Sequence, residues 1–190
     1  MKINTGKTRY IVLGLLAHSP QTGYSIKKAI EFQFNHFWQE SYGQIYPTLK
    51  RLVAEGLAVE TADSGNGRGQ ITYTITDTGK AVLKDWLSET PEIEKLRYEI
   101  LLKLSFGSST EPPVILGHLD DFIARINALI KEMEGTIQLL HSLTEQGDDH
   151  TYIELTALCG KYTYTAMRDW AQEAKSLIAE RMLKNETKGS

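Results

Sequence analysis

Gln44 and Thr48 stand four residues apart in a stretch that reads as one helix, Ser41-Tyr42-Gly43-Gln44-Ile45-Tyr46-Pro47-Thr48-Leu49-Lys50-Arg51-Leu52. Their side chains suit the edges of base pairs. A glutamine amide can bridge N6 and N7 of adenine, and a threonine can hydrogen-bond a base edge or touch a thymine methyl. Tyr42 and Tyr46 form a second four-residue pair, expected to reach phosphate or thymine. The alternative for Tyr46 is a core position with its hydroxyl merely satisfied. Lys50 and Arg51 follow as phosphate clamps, and Ser41 joins the set at the helix start. Arg68 is the lone cation of a later glycine-rich turn, where its flanking glycines permit close approach to a backbone or minor groove. Tyr24, Lys27 and Lys28 lie on the preceding helix, which should cross the backbone; one of the two lysines is expected to meet phosphate, and Tyr24 through its hydroxyl beside the helix's free amides.

Other chemistry finds less support. His18, His36, His118, His141 and His150 have no ligand-like spacing to one another or to Cys159, so no metal site is expected. Gly65-x-Gly67-x-Gly69 fails as a nucleotide-binding loop, because a strand follows it where a helix would have to open. Asp148-Asp149-His150 reads as a polar turn and cap. No nucleophile, base and orienting group cluster, so an enzyme is not expected and no cofactor is implied. Phe34, Trp38 and Trp86 are candidates to stack a small aromatic effector, with simple core packing as the alternative.

The elements that would position these groups follow from periodicity. Residues 8–19 are apolar on most faces and stop at Pro20, giving a buried first helix. Ile26, Ile30 and Phe34 mark the core face of a second. The third is expected from Ser41, with Ser41-x-x-Gln44 in the form of a capping box, Ile45, Leu49, Leu52 and Val53 inward, and Gly56 as its stop. Pro47 should bend it or confine its regular part. Leu57–Thr61 and Ile71–Ile75 read as a strand pair around a turn, and Thr76 or Asp77 caps a fourth helix ending near Leu87. Helix, basic helix, then hairpin is the order of a winged helix-turn-helix, which offers duplex DNA one probe for the major groove and one for the flanking backbone.

Thr90-Pro91 is expected to open a further helix along Ile93, Leu96, Ile100 and Leu104. Glu111-Pro112-Pro113 opens a longer one, in which Leu116, Leu119, Ile123, Ile126, Ile130, Met133, Ile137 and Leu140 alternate at spacings of three and four. A last helix spans about 150–184 and carries Trp170. Two such helices, each about 50 Å long, need further cover for their apolar faces. We expect a homodimer with the seam at the subunit interface; the alternative is an antiparallel hairpin within one chain. The chain is thus expected to be mainly α, with a winged helix-turn-helix domain at 1–88 and a helical, coiled-coil-like dimerisation domain at 89–190.

Charge follows the same division. Net charge is −3 over 190 residues, but residues 1–87 carry 10 Lys and Arg against 7 Asp and Glu, and residues 88–190 carry 11 against 17. The excess in the first part is modest, so affinity for a polyanion would depend on local placement and on doubling in a dimer. No apolar run approaches a membrane span, and residues 1–7 lack the apolar stretch of a signal peptide, so a cytoplasmic protein without membrane contact is expected.

Gly23-Tyr24-x-Ile26, Ser41-x-Gly43-x-Ile45-Tyr46-Pro47-x-Leu49-x-x-Leu52, Gly56-Leu57, Arg68, Tyr73-x-x-Thr76-x-x-Gly79 and Leu83-x-x-Trp86 together resemble the PadR family of transcriptional regulators. The likeness is close over the first 87 residues. Lys95 to Gly107 and the two long helices look like the family's longer C-terminal dimerisation domain. The resemblance implies a dimeric winged-helix repressor, less often an activator, released from its operator by a small molecule or another signal; the symmetry of a dimer implies that this operator in double-stranded DNA is palindromic. A protein–protein adaptor that does not bind DNA is the competing reading, since a fold does not fix a function.

Overall fold

The computed structural model describes residues 5–34, 37–38, 42–63, 70–94, 96–145 and 149–186. Two compact units divide the chain, Met1–Ile93 and Glu94–Ser190.

The first unit runs α1 (Thr5–His18), β1 (Gln21–Thr22), α2 (Gly23–Gln33), a 3-10 turn at Tyr42–Gln44, α3 (Ile45–Ala54), β2 (Ala58–Asp63), β3 (Gln70–Ile75) and α4 (Asp77–Leu87). Its sheet has the order β1-β3-β2, with both pairs antiparallel. The hairpin strands were legible; β1 is a finding, since two residues carry no alternation to read. It pairs Gln21 with Tyr73 and so fixes the start of α2 against the wing. Val12, Leu13 and Leu16 of α1, Ile26 and Ile30 of α2, and Ile45, Leu49 and Leu52 of α3 form the buried core.

Local chemistry sets the ends of these helices. The capping box is at Thr22-x-x-Ser25: the Thr22 hydroxyl accepts from the Ser25 amide at 3.1 Å, and the Ser25 hydroxyl accepts from the Thr22 amide at 2.9 Å. The box expected at Ser41-x-x-Gln44 is not the start of α3. Ser41 lies outside the described residues, and Gln44 itself holds the cap position with no side-chain cap bond. Pro47 is the third residue of α3, within the first turn, where a missing N–H removes no helical bond. At the other end Gly56 takes φ +70°. The Leu57 amide donates to the Leu52 carbonyl at 2.8 Å and the Gly56 amide to that of Val53 at 3.0 Å, a complete left-handed helix stop. The Thr76 hydroxyl accepts from the Gly79 amide at 3.0 Å and so caps α4.

The second unit holds α5 (Glu99–Ser105), a 3-10 turn at Gly107–Ser109, α6 (Pro112–Glu145) and α7 (Thr151–Glu186). α6 and α7 form an antiparallel hairpin. Asp120 pairs with Lys175, Glu134 with Lys161 at 3.2 Å, and His141 faces Glu154 at 3.8 Å, so partners run in opposite directions along the two helices. This corrects the placement of the seam. Leu119, Ile126, Ile130, Met133 and Leu140 are buried within one chain, and Leu116, Ile123 and Ile137 are half-buried. Small residues on α7 make the close approach possible. Ala157 and Ala171 are buried, and a Cβ at Gly160 would lie 3.0 Å from the Met133 sulfur. Trp170 belongs to the same intrachain core, edge-on to Phe122 at 5.9 Å between ring centres.

The helix expected from Thr90-Pro91 begins only at Glu99. Ile93 and Leu96 are 89% and 74% exposed. A segment this short gains helicity from the packing of an apolar face, and here that face has no cover.

Candidate nucleic-acid interface

α3 divides cleanly into two sides. Ile45, Thr48, Leu49 and Leu52 point into the core. Tyr46, Pro47, Lys50, Arg51 and Ala54 are exposed. The division corrects the expectation for Thr48, which is 1% exposed and has no route to a base edge. Its four-residue relation to Gln44 does not place the two on one face. Thr48 stands three residues after Ile45 and four before Leu52, so it falls on the apolar stripe of α3, while Gln44 precedes that helix at its cap. Gln44 itself is half-buried. Pro47 is an exposed apolar group that the sequence reading did not count. It lies one turn before Arg51, and that spacing was the available signal.

Lys50 and Arg51 therefore project from the outer face of α3, with no carboxylate partner among the described residues. The cations of α2 differ. Lys27 and Lys28 both reach Glu31, at 3.8 and 3.3 Å. Lys28 also lies 5.9 Å from the centre of the Tyr24 ring. Tyr24 is 63% exposed, which leaves its hydroxyl open to solvent.

Tyr46 is 55% exposed, so the core alternative does not hold for it. Its ring rests on α2: a Cβ at Gly23 would lie 2.5 Å from its Cε1 and 3.2 Å from its hydroxyl oxygen. Tyr73 of the wing is buried nearby. Burial pushes its hydroxyl above the ordinary phenol range, and the charges at Glu60 and Tyr46 add to the effect. The hydroxyl thus stays protonated and remains a donor. The sequence candidates Gln44, Tyr46, Lys50 and Arg51 come together at α3, with Tyr24 beside them through Gly23. Arg68 and the Tyr42 side chain lie outside what is described, as does the wing between β2 and β3.

Two of the aromatic candidates, Trp86 and Phe34, have other rings as partners. Trp86 stacks on Tyr10 at 4.5 Å between ring centres and 6° between planes, with the Lys7 ammonium 5.7 Å from the Trp86 ring centre. No slot for a flat molecule exists between those rings. Phe34 packs on the core and meets Phe37 edge-on at 6.0 Å, and the Trp38 amide donates to the Phe34 carbonyl at 2.8 Å. An open depression of about 470 Å³ lies in the second unit, bounded by Leu102, Lys103, Phe106, Val114, Ile115 and His118 among others. Among the described residues no three His, Cys, Asp or Glu side chains could hold a metal ion. No helix there is long and apolar enough to cross a membrane.

Comparison with known proteins agrees with this arrangement. Residues 96–179 match the family described as virulence activator alpha C-term. The structure of Bacillus subtilis PadR in complex with operator DNA superposes with a TM-score of 0.81 at 26% identity, covering 90% of this chain and 96% of that one. The PadR-like transcriptional regulator of Bacillus cereus superposes with a TM-score of 0.76 at 27% identity, over 92% of this chain and 99% of that one. The negative transcriptional regulator PadR of Bacillus subtilis (strain 168) is 31% identical over 139 residues, 72% of this chain and 76% of the relative. Residues 12–85, which contain α3 and the wing, match the transcriptional regulator PadR-like family, and it is to this family that the chain belongs.

Proposed function

We propose that this regulator is a homodimeric repressor that binds a palindromic operator through α3 and the wing of each subunit. The observation that carries the reading is the outer face of α3, where Tyr46, Lys50 and Arg51 stand exposed. α3 enters the major groove, Lys50 and Arg51 hold phosphates, and Gln44 reads a base edge at the groove end. Tyr24 and Lys28 of α2 meet the backbone beside it, and Arg68 extends the contact from the wing. Residues 1–88 form the DNA-binding part and residues 89–190 the part that joins two copies.

With the α6 seam occupied by α7, the joining surface is sought elsewhere. Leu102, Phe106 and Val114 are 63%, 70% and 48% exposed and bound one open depression, so they are neighbours on one apolar surface. We assign the subunit contact to this face. We place the contact of a small aromatic effector at the open apolar depression on the same face. Its binding would weaken operator affinity by favouring a different pairing of the subunits.

Fluorescence anisotropy on the duplex upstream of the regulated gene, and on a scrambled duplex, tests the reading. Lys50→Ala should weaken both by about 10-fold or more and lower the salt slope by about 2, for one phosphate contact per subunit. Gln44→Ala should weaken only the specific duplex, narrowing the preference by about 1–3 kcal/mol per contact. Equal loss on both duplexes for Gln44→Ala removes its base-reading role. Absence of salt-sensitive binding by the unaltered dimer supports an adaptor instead.

A further inference from the structure

We propose that Gly23 is a positioning residue for DNA recognition: its missing side chain is the seat that aims Tyr46 at the phosphate backbone. The inference rests on the reading of Tyr46 as a DNA contact. Tyr46 leaves more than half of its surface open, so it is held from few directions. One is the start of α2, where the ring occupies the space that a Cβ on Gly23 would fill, at 2.5 Å from Cε1, 3.0 Å from Cζ and 3.2 Å from the hydroxyl oxygen. Carbon atoms in contact sit at about 3.5–4.0 Å, so an alanine there must push the ring away by about 1 Å.

The push falls on the ring and spares the fold. Gly23 is the first residue of α2, its φ is not positive, and the obstructing atoms are the far end of a rotatable side chain. Alanine favours a helix more than glycine does. A shift of about 1 Å at the ring, however, takes the hydroxyl out of the narrow distance range of a hydrogen bond to phosphate. Gly23 is thus required for where Tyr46 points and dispensable for the helix it begins. β1 reinforces the seat, because Gln21 pairs with Tyr73 and ties the approach to Gly23 to the central strand of the sheet.

A double-mutant cycle tests this on the operator duplex at fixed salt, with Gly23→Ala, Tyr46→Ala, the two together, and Tyr46→Phe. Gly23→Ala should weaken binding by about 10-fold, the scale of one charge-assisted hydrogen bond, with no fall in melting temperature. Tyr46→Phe should match it. In the Tyr46→Ala background Gly23→Ala should have no further effect, because no ring remains to be displaced. Normal affinity for Gly23→Ala alongside a weakened Tyr46→Ala overturns the seat and leaves the Tyr46 contact standing. Additive losses overturn it too, by showing that Gly23 acts without Tyr46. Normal affinity for Tyr46→Ala overturns the contact itself, and the proposal with it.

Discussion

Gly79→Ala will lower stability by about 3 kcal/mol and the melting temperature by about 6–12 °C, in a chain of this length. The Cβ that alanine adds would lie 2.1 Å from the Leu57 carbonyl oxygen and 2.8 Å from Ile75 Cγ1. The first obstruction is backbone and cannot rotate away. α4 must then lift from the segment that ends α3. Two bonds hold it there, from the Thr76 amide to the Leu57 carbonyl at 3.0 Å and from the Thr76 hydroxyl to the Gly56 carbonyl at 2.8 Å. Loss of several kcal/mol is a large part of the stability of an ordinary domain. The same substitution at Gly14 in α1 should do the reverse. A Cβ there meets nothing within 4 Å, so alanine should stabilise by about 0.5–1 kcal/mol. Differential scanning calorimetry of the two variants decides the matter. A Gly79→Ala protein that melts with the parent would refute the close docking of α4.

The second large effect concerns the subunit contact. Leu102→Glu together with Phe106→Glu is expected to leave the chain folded but monomeric, and to weaken operator binding by about 10²–10⁴-fold. Both side chains are more than 60% exposed in the single chain, so a carboxylate at either position remains hydrated and the fold is spared. Two heads held together meet their second half-site as an intramolecular event; separate heads must each bind from solution. Affinity for a duplex with one half-site should therefore stay unchanged, and that comparison isolates dimerisation from recognition. Sedimentation equilibrium gives the mass and circular dichroism the fold. A variant that stays dimeric places the contact on another face.

How far the chain could be read depended on what each signal measures. Apolar period marked the core faces of α1, α2 and α3 because burial selects residues directly. Gly56 and Thr76 marked helix ends because their chemistry is local. Thr48 misled for a physical reason. Its side chain is small and polar enough for a surface, yet it stands at core spacing between Ile45 and Leu52, and its small size lets it be buried there. The long seam on α6 was visible, but an apolar stripe does not say whose helix covers it. The deciding signal lay on α7, in Ala157, Gly160 and Ala171, whose small size admits the larger side chains of α6. Thr90-Pro91 carried the marks of a helix start, yet Ile93 and Leu96 found no surface to pack on. Trp86 stacks on Tyr10, a pairing that sequence separation conceals.

The peptide groups of Gly56 and Leu57 serve two helices at once. Leu57 closes the end of α3 with its own amide, while its carbonyl and that of Gly56 anchor the beginning of α4. α3 therefore shares its C-terminal anchor with α4, and a rotation of α3 is expected to carry α4 along. In the dimer proposed above, an inducer would act by carrying each head bodily and spoiling the distance between the two, much as a calliper loses its setting while both jaws stay rigid.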